Sequence, residues 1–330
     1  MTSDVLIGLD LGGTQIRTAL LDRHLAILER YETLTLAHEG YESTIQRVID
    51  AISQVLPQDG RAVLGIGVSA PGPLNPQTGI VVAPPNLAGW HNVPLGDILH
   101  RAFGLPVFVG NDANVAALAE VARGAAQGYR HAIFITVSTG IGSGIIYDGR
   151  MLLGKDGLAA EAGHIQLIVE GGRVSSLEKE AAGPALARQA RERIQRGESS
   201  VLTEMAHGDL DKIDARMIGD AFVQDDLLAK DLVHYCAKCV GLGIVTLLHL
   251  FNPQIVVIGG GVSQIGAPLF HQIEATVRAH ALDEAYWRDL KIVPAALGGD
   301  VSIIGSAALV LTQGGQADVT KVISILNEDA

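Results

Sequence analysis

Four short runs place acids, amides and hydroxyls where glycine lets the backbone turn: LDLGGTQIR around Asp10, VGNDANVAA around Asp112, VSTGIGSG around Thr139 and EAGHI around Gly163. In the first run Asp10 closes an apolar stretch, Gly12 and Gly13 let backbone N–H groups approach an anion, and Thr14 adds a hydroxyl for a phosphate oxygen. The same Gly-Gly pair also describes an ordinary hairpin turn. In the second run Asp112 stands between Asn111 and Asn114, so amides can bind hydroxyls while the carboxylate takes a proton. That spacing equally describes a helix N-cap, and the two roles coexist if Asn111 is the cap. Thr139, Gly140 and Gly142 form a second anion-compatible turn. Glu161 and His164, separated by Ala162 and Gly163, offer a carboxylate and an imidazole; taken alone they describe a surface ion pair. Gly259, Gly260 and Gly261 follow another apolar run, and suit either a flat ring lying against the backbone or tight strand-to-helix packing. Neither GxxxxGK[ST] nor GxGxxG occurs, so a P-loop and a dinucleotide fingerprint are both excluded.

The elements that must carry these residues alternate between strand and helix. Val5 to Asp10, Ile16 to Asp22 and Ala26 to Leu34 read as three successive strands, followed by a helix-period stretch from Tyr41 to Leu56 and a strand from Val63 to Val68. Val107 to Val109 runs into the Asn-Asp pair, which starts an Ala-rich helix to Gln127. His131 to Val137 repeats the strand-to-glycine pattern of the opening, as does Ile255 to Ile258. Long helices are expected from about Asp225 to Phe251 and from Gly266 to His280, whereas Met205 to Asp226 reads as a polar surface excursion. Two copies of a hairpin-plus-helix lobe, one from Val5 and one from His131, give an α/β architecture with mixed sheets. Two glycine turns at equivalent places in a repeated lobe would face each other across a cleft, as a triphosphate requires.

A chain of 330 residues with 48% hydrophobic content suits two such lobes, and a net charge of −12 argues against a nucleic-acid partner. The opening MTSDVLIGLDLGG has no basic region ahead of its apolar run, and Val240 to Phe251 is short for a bilayer and contains His249, so no membrane partner and a cytoplasmic location are expected. Cys236 and Cys239 form a lone CxxC within a helical stretch; with no second pair to complete four ligands, they are read as core thiols.

The runs GLDLGGTQIR, SAPGPLNPQTG, PNLAGWHNVPL, VGNDANVAALAE, STGIGSGIIYDGRMLLG, EAGHI, LEKEAAGPAL, NPQIVVIGGGV and LGGDVSIIGSAAL occur in order from Leu6 to about Leu309. Together they resemble the ROK family (repressor and kinase) of the actin and hexokinase superfamily, and most of all its glucokinase branch. The resemblance implies a two-lobed, actin-like/ribonuclease H-like ATPase fold with an interlobe cleft. Residues 1–110 and about 302–330 would form a small lobe, and about 111–301 a large one. It implies ATP-dependent phosphorylation of a hexose, glucose O6 first, with Asp112 as general base. Asn86, Asn111, Glu161, His164 and Glu178 would join Asp112 around the sugar. Asp10 would lie near Mg2+ and the phosphates, with Gly12, Gly13 and Thr14 as first phosphate turn, Thr139, Gly140 and Gly142 as second, and Gly259, Gly260 and Gly261 against adenosine. Most family members carry a CxCGxxGCxE zinc-binding stretch after the GH pair; here that stretch is EGGRVSSLE, with Ser176 at the last cysteine's place, so zinc is not expected. The resemblance further implies a dimer or tetramer. The sugar-responsive repressors of the same family carry a helix-turn-helix ahead of the first phosphate strand, for which the residues before Val5 leave no room. Mannose, fructose or an N-acetylhexosamine as acceptor, polyphosphate as donor, and a non-catalytic sugar sensor are the alternatives.

Overall fold

The run VLIGLDL is apolar at all but two positions, which suits a strand buried on both faces. In the computed structural model, which describes residues 4–328, it forms β1 (Val5–Leu11), with only Asp10 part-exposed. A tight turn returns the chain as β2 (Gln15–Asp22) and a second as β3 (Ile27–Leu34). Helix α1 (Tyr41–Gln54) then crosses to β4 (Val63–Ala70), which lies parallel to β1. Three two-residue strands, β5 (Leu74–Asn75), β6 (Ile80–Val81) and β7 (Val93–Pro94), form a small sheet before α2 (Leu95–Phe103). Strand β8 (Val107–Asn111), parallel to β4, runs directly into α3 (Asp112–Arg123).

The second half opens on β9 (Ala132–Val137), β10 (Ile141–Tyr147) and β11 (Arg150–Met151), followed by the hairpin β12 (Gln166–Ile168) and β13 (Val174–Ser176). A helical stretch comes next: α4 (Leu177–Ala181), α5 (Gly183–Gln195), α6 (Leu202–Met205), α7 (Ala215–Val223) and α8 (Leu227–Phe251). Strand β14 (Ile255–Gly259), helix α9 (Ala267–His280) and strand β15 (Lys291–Pro294) precede α10 (Val301–Leu311) and α11 (Val319–Glu328).

The repeat expected from the sequence is present in the topology. The first large sheet runs β3-β2-β1-β4-β8 and the second β11-β10-β9-β14-β15, so each follows the chain order third, second, first, fourth, fifth. In both, an antiparallel hairpin occupies one side and parallel strands the other.

By density of internal contact the chain divides into a first unit of residues 1–132, 144–160 and 295–330 and a second of 133–143 and 161–294. In the first unit α10 is apolar on nearly every side and buries Ile303, Ile304 and Ala307 to Val310 against β1, β4, β8 and α3. Helix α3 and Asp112 therefore belong by packing to the first unit, whereas the lobes expected from the sequence divide the chain at residue 111. In the second unit α8 is the axis on which α4, α5, α7 and α9 pack. It matches the helix expected from about Asp225 to Phe251; at 25 residues it is apolar enough to cross a bilayer by length and composition, longer than its Val240 to Phe251 apolar run, yet 67% of its most apolar window is buried by its neighbours. Cys236 and Cys239 are both on its buried side.

Two expectations need correction. The Ala-rich helix stops at Arg123, not Gln127, because Glu120 turns its carboxylate back onto the amide of Ala125 at 2.7 Å and closes the end. The supposed excursion from Met205 to Asp226 contains α7, whose N-cap Asp214 accepts from the amide of Met217 at 2.8 Å.

Candidate active site

In the first unit the candidate residues gather at the carboxyl ends of the parallel strands β1, β4 and β8 of the mixed sheet. Asp10 is paired in register with Ser69 on β4, and Ser69 with Gly110 on β8, so Asp10 and the Asn111-Asp112 step lie at the carboxyl ends of strands two apart. Strands spaced ~4.8 Å put these positions on the order of 10 Å from one another, the scale of a phosphoryl donor and an acceptor hydroxyl. Carboxyl ends of strands in open α/β sheets are where ligands collect.

The first turn is closed by the Gly12 amide, which donates to the Gln15 carbonyl at 2.9 Å, and by Thr35 Oγ1, which donates to the Gly12 carbonyl at 2.6 Å. Thr14 is exposed at its tip. Asn86 packs on Gly13 so closely that a Cβ there would stand 2.8 Å from the Asn86 Cβ. Asn86, in the small sheet's last loop, thus lies against the Gly12–Thr14 turn. Asp10 is not alone: Arg17, its cross-strand partner on β2, forks onto its Oδ2 through Nε at 3.0 Å and Nη2 at 2.5 Å. Arg17 Nη1 also donates to the Gly299 carbonyl at 3.0 Å. The sequence reading passed over Arg17, although a tight hairpin with an acid and a base at mirrored positions announces such a pair.

At β8 the chain turns into α3 with Asn111 as N-cap, its Oδ1 accepting from the Ala113 amide at 3.1 Å. Asp112 is the first helical residue, exposed, with Oδ1 also accepting from the Ala113 amide at 2.7 Å. Asn111 and Asp112 thus share the Ala113 amide at the start of α3.

The second unit holds the remaining candidates. The Ser138 amide donates to the Gly140 carbonyl at 2.9 Å, closing the turn between β9 and β10 with Thr139 exposed at its tip and Gly142 already inside β10. Gly259 ends the neighbouring strand β14, and Gly260 packs on the Val137 carbonyl, which brings the triple glycine beside this turn. Glu178 Oε2 accepts from the Ile141 amide at 2.8 Å, and Gly140 lies against the same oxygen. Glu161 and His164 are the exposed corners of a single 3-10 turn with Ala162 and Gly163 buried between them. That turn is held by its backbone: the His164 amide donates to the Glu161 carbonyl at 3.1 Å, Gln166 Nε2 to the His164 carbonyl at 2.9 Å, and Ser143 Oγ accepts from the Ala162 amide at 3.1 Å.

Among the described residues no group of three or more His, Cys, Asp or Glu could hold a metal ion. The Cys239 thiol is pushed up to about 11 by burial, and that of fully buried Cys236 is raised further by the same cause, so neither is a ready ligand.

A sequence profile of the ROK family matches residues 6–313, nearly the whole chain. The chain belongs to the ROK family. Among its ROK relatives is the glucokinase of Thermotoga maritima, 34% identical over 310 residues, covering 92% of this chain and 96% of that one. The crystal structure of the ROK hexokinase from Thermus thermophilus is 32% identical, covers 99% of this chain and 100% of that chain, and superposes with a TM-score of 0.79. A ROK-family glucokinase from Streptomyces griseus, solved in complex with glucose and AMPPNP, is 32% identical with a TM-score of 0.75 over 92% of this chain and 98% of that one. The duplicated sheet is accordingly that of the actin-like ATPase fold.

Proposed function

We propose that this ROK protein is an ATP-dependent glucokinase, transferring the γ-phosphoryl group of ATP to O6 of glucose. The observation that carries the reading is that Asp10, at the first glycine turn, and Asp112, at a capped helix start, stand at the carboxyl ends of strands two apart in one sheet. End-to-end similarity to glucokinases supports the same acceptor.

In this reading Asp112 accepts the proton of the sugar hydroxyl as its oxygen attacks phosphorus, and the leaving group is ADP. Such transfers have a loose transition state, so positioning and charge neutralisation supply most of the acceleration. Backbone N–H groups of the Gly12–Thr14 and Thr139–Gly142 turns hold the phosphates, and Gly259 to Gly261 lie along the adenosine. Asn86, Asn111, Glu161, His164 and Glu178 bind the sugar hydroxyls. The donor set suits Mg2+: one carboxylate, Asp10, 14% exposed at its side chain, would join phosphate oxygens and water, as that ion is ordinarily held. When bound, Mg2+ neutralises charge on the β- and γ-phosphates. Arg17 keeps the Asp10 carboxylate oriented toward the turn. The same reading carries a homo-oligomer, dimer or tetramer, working in the cytoplasm; light scattering after size exclusion checks the assembly.

The test is a coupled ADP-release assay with ATP and Mg2+ across glucose, mannose, fructose, N-acetylglucosamine and N-acetylmannosamine, against a blank without sugar. Turnover highest on glucose is expected. Turnover highest on another hexose replaces the acceptor, and turnover with none replaces the activity.

A further inference from the structure

Glu180 is a carboxylate at 3% exposure, two residues after Glu178 on α4. It accepts from Arg173 Nη2 at 2.8 Å and from Tyr235 Oη at 2.8 Å. Burial works against its charge, but the hydroxyls of Ser175 and Tyr235 and the Arg173 guanidinium outweigh that and hold the carboxyl below its usual range. The Ser175 hydroxyl stands close enough to favour the charge although its geometry falls short of a full hydrogen bond. A buried anion is costly unless paired, and the pairing here joins three separate segments: the β12–β13 hairpin, α4 and the core helix α8.

What those segments carry explains the arrangement. Helix α4 is five residues long, too short to be stable by its own hydrogen bonds. Its position comes from tertiary links. The Leu177 amide at its start donates to the Ile165 carbonyl, next to His164, at 2.9 Å, and Ser176 Oγ caps it by accepting from the Lys179 amide at 3.3 Å. From that helix Glu178 reaches the Ile141 amide.

We infer that Glu180, clamped by Arg173 and Tyr235, is a positioning residue of the sugar site, fixing α4 so that Glu178 stays on the Ile141 amide and the Glu161–His164 turn stays against the start of α4. The inference rests on the reading of Glu178, Glu161 and His164 as glucose ligands. Glu180 itself touches no substrate. It acts through the helix it anchors.

The test uses the full chain with Arg173→Ala, Arg173→Lys and Tyr235→Phe. Arg173 is 60% exposed at its side chain, so its truncation opens no core cavity but leaves Glu180 on Tyr235 alone; Tyr235→Phe keeps the ring while removing the other donor, and circular dichroism of each variant confirms that it is folded. Hydrogen exchange at the Ile141 and Leu177 amides, read without any ligand, is expected to be about tenfold faster in Arg173→Ala and Tyr235→Phe. Glucose affinity by calorimetry is expected to weaken about five- to tenfold, with KM for glucose following and kcat changed less, while Arg173→Lys recovers part of both. Unchanged exchange at Ile141 in both variants overturns the inference, as does faster exchange with an unchanged glucose affinity. A wild-type protein that binds no hexose would instead overturn the proposed function, and the exchange readout would still decide whether the clamp holds α4.

Discussion

The carboxylate of Glu178 accepts a 2.8 Å hydrogen bond from the amide of Ile141, and Gly140 is what admits it: a Cβ at Gly140 would stand 2.6 Å from Glu178 Oε2. A side chain assigned to the sugar therefore rests on the turn assigned to phosphate. Gly140→Ala must push that carboxylate away, because the flexible side chain yields before the backbone does. The expected result is a fall in kcat/KM for glucose of about 10- to 100-fold, misplacement at the reacting centre being that damaging. Steady-state kinetics of the purified variant, with circular dichroism to confirm folding, decide it; a rate within twofold of wild type would make the contact dispensable.

Asp112 and Asn111 divide two tasks at the start of α3, and separate variants should tell them apart. Asp112→Asn is expected to lose about 100-fold or more in kcat with an unchanged melting temperature, since the proposed general base goes and the cap remains. Asn111→Ala removes the cap and is expected to lower stability by about 1 kcal/mol. Thermal melts and turnover measured on the same preparations give both readouts.

Arg17 makes three hydrogen bonds, two to Asp10 and one to the Gly299 carbonyl. Arg17→Ala frees the carboxylate to rotate away from the turn. We expect KM for Mg·ATP to rise by about tenfold, with Arg17→Lys intermediate because an ammonium cannot reproduce the planar fork. A titration of Mg2+ at fixed ATP checks it: the variant should need more of the ion for half-maximal rate.

Acid should act through Asp318. Its side chain is 8% exposed and accepts from Arg130 Nη1 at 2.5 Å and Thr320 Oγ1 at 2.7 Å. Burial pushes its pKa up, but Thr320, Arg130 and the Lys321 amide prevail and leave it lowered. A lowered carboxylate stabilises the fold fully above its unfolded value of about 3.9, and that contribution is lost as pH falls through the folded value. The melting-temperature advantage of wild type over Asp318→Asn should therefore be full at about pH 7 and shrink below about pH 4. An advantage independent of pH would assign the effect to packing instead.

How much of this was legible in the sequence depended on the range of the interaction. The strands of the first sheet were legible, as were β9 and β14 of the second with their glycine turns, because runs such as VLIGLDL are apolar on both faces and end abruptly in turn residues; β10, β11 and β15 were not. Helix α7 was not, since it buries only Ile218 and Ala221 and interrupts its pattern with Gly219 and Asp220; its cap, Asp214, was the one local sign. The placement of α3 with the first unit depends on α10, nearly two hundred positions away, and no local pattern reports it. The segment after His164 lacks the cysteines expected of the family, and what holds it, Arg173 to Glu180 to Tyr235, joins residues 7 and 55 positions apart. Charge pairing of that kind has no periodicity to read.

The burial of α10 against β1, β4 and β8 also sets a timetable. Strand β8 ends at Asn111 and α10 begins at Val301, so the ribosome adds about 190 residues between the completion of the first sheet and the arrival of the helix that covers it. At about 5 to 20 residues per second that wait is roughly 10 to 40 s. Throughout it, the inner face of the first sheet is apolar and uncovered on a growing nascent chain. Residues 133–143 and 161–294, made later, have all of their second-unit partners before α10 appears. The unit that begins the protein is thus the last able to finish folding, and the interval is when a chaperone would have most to hold.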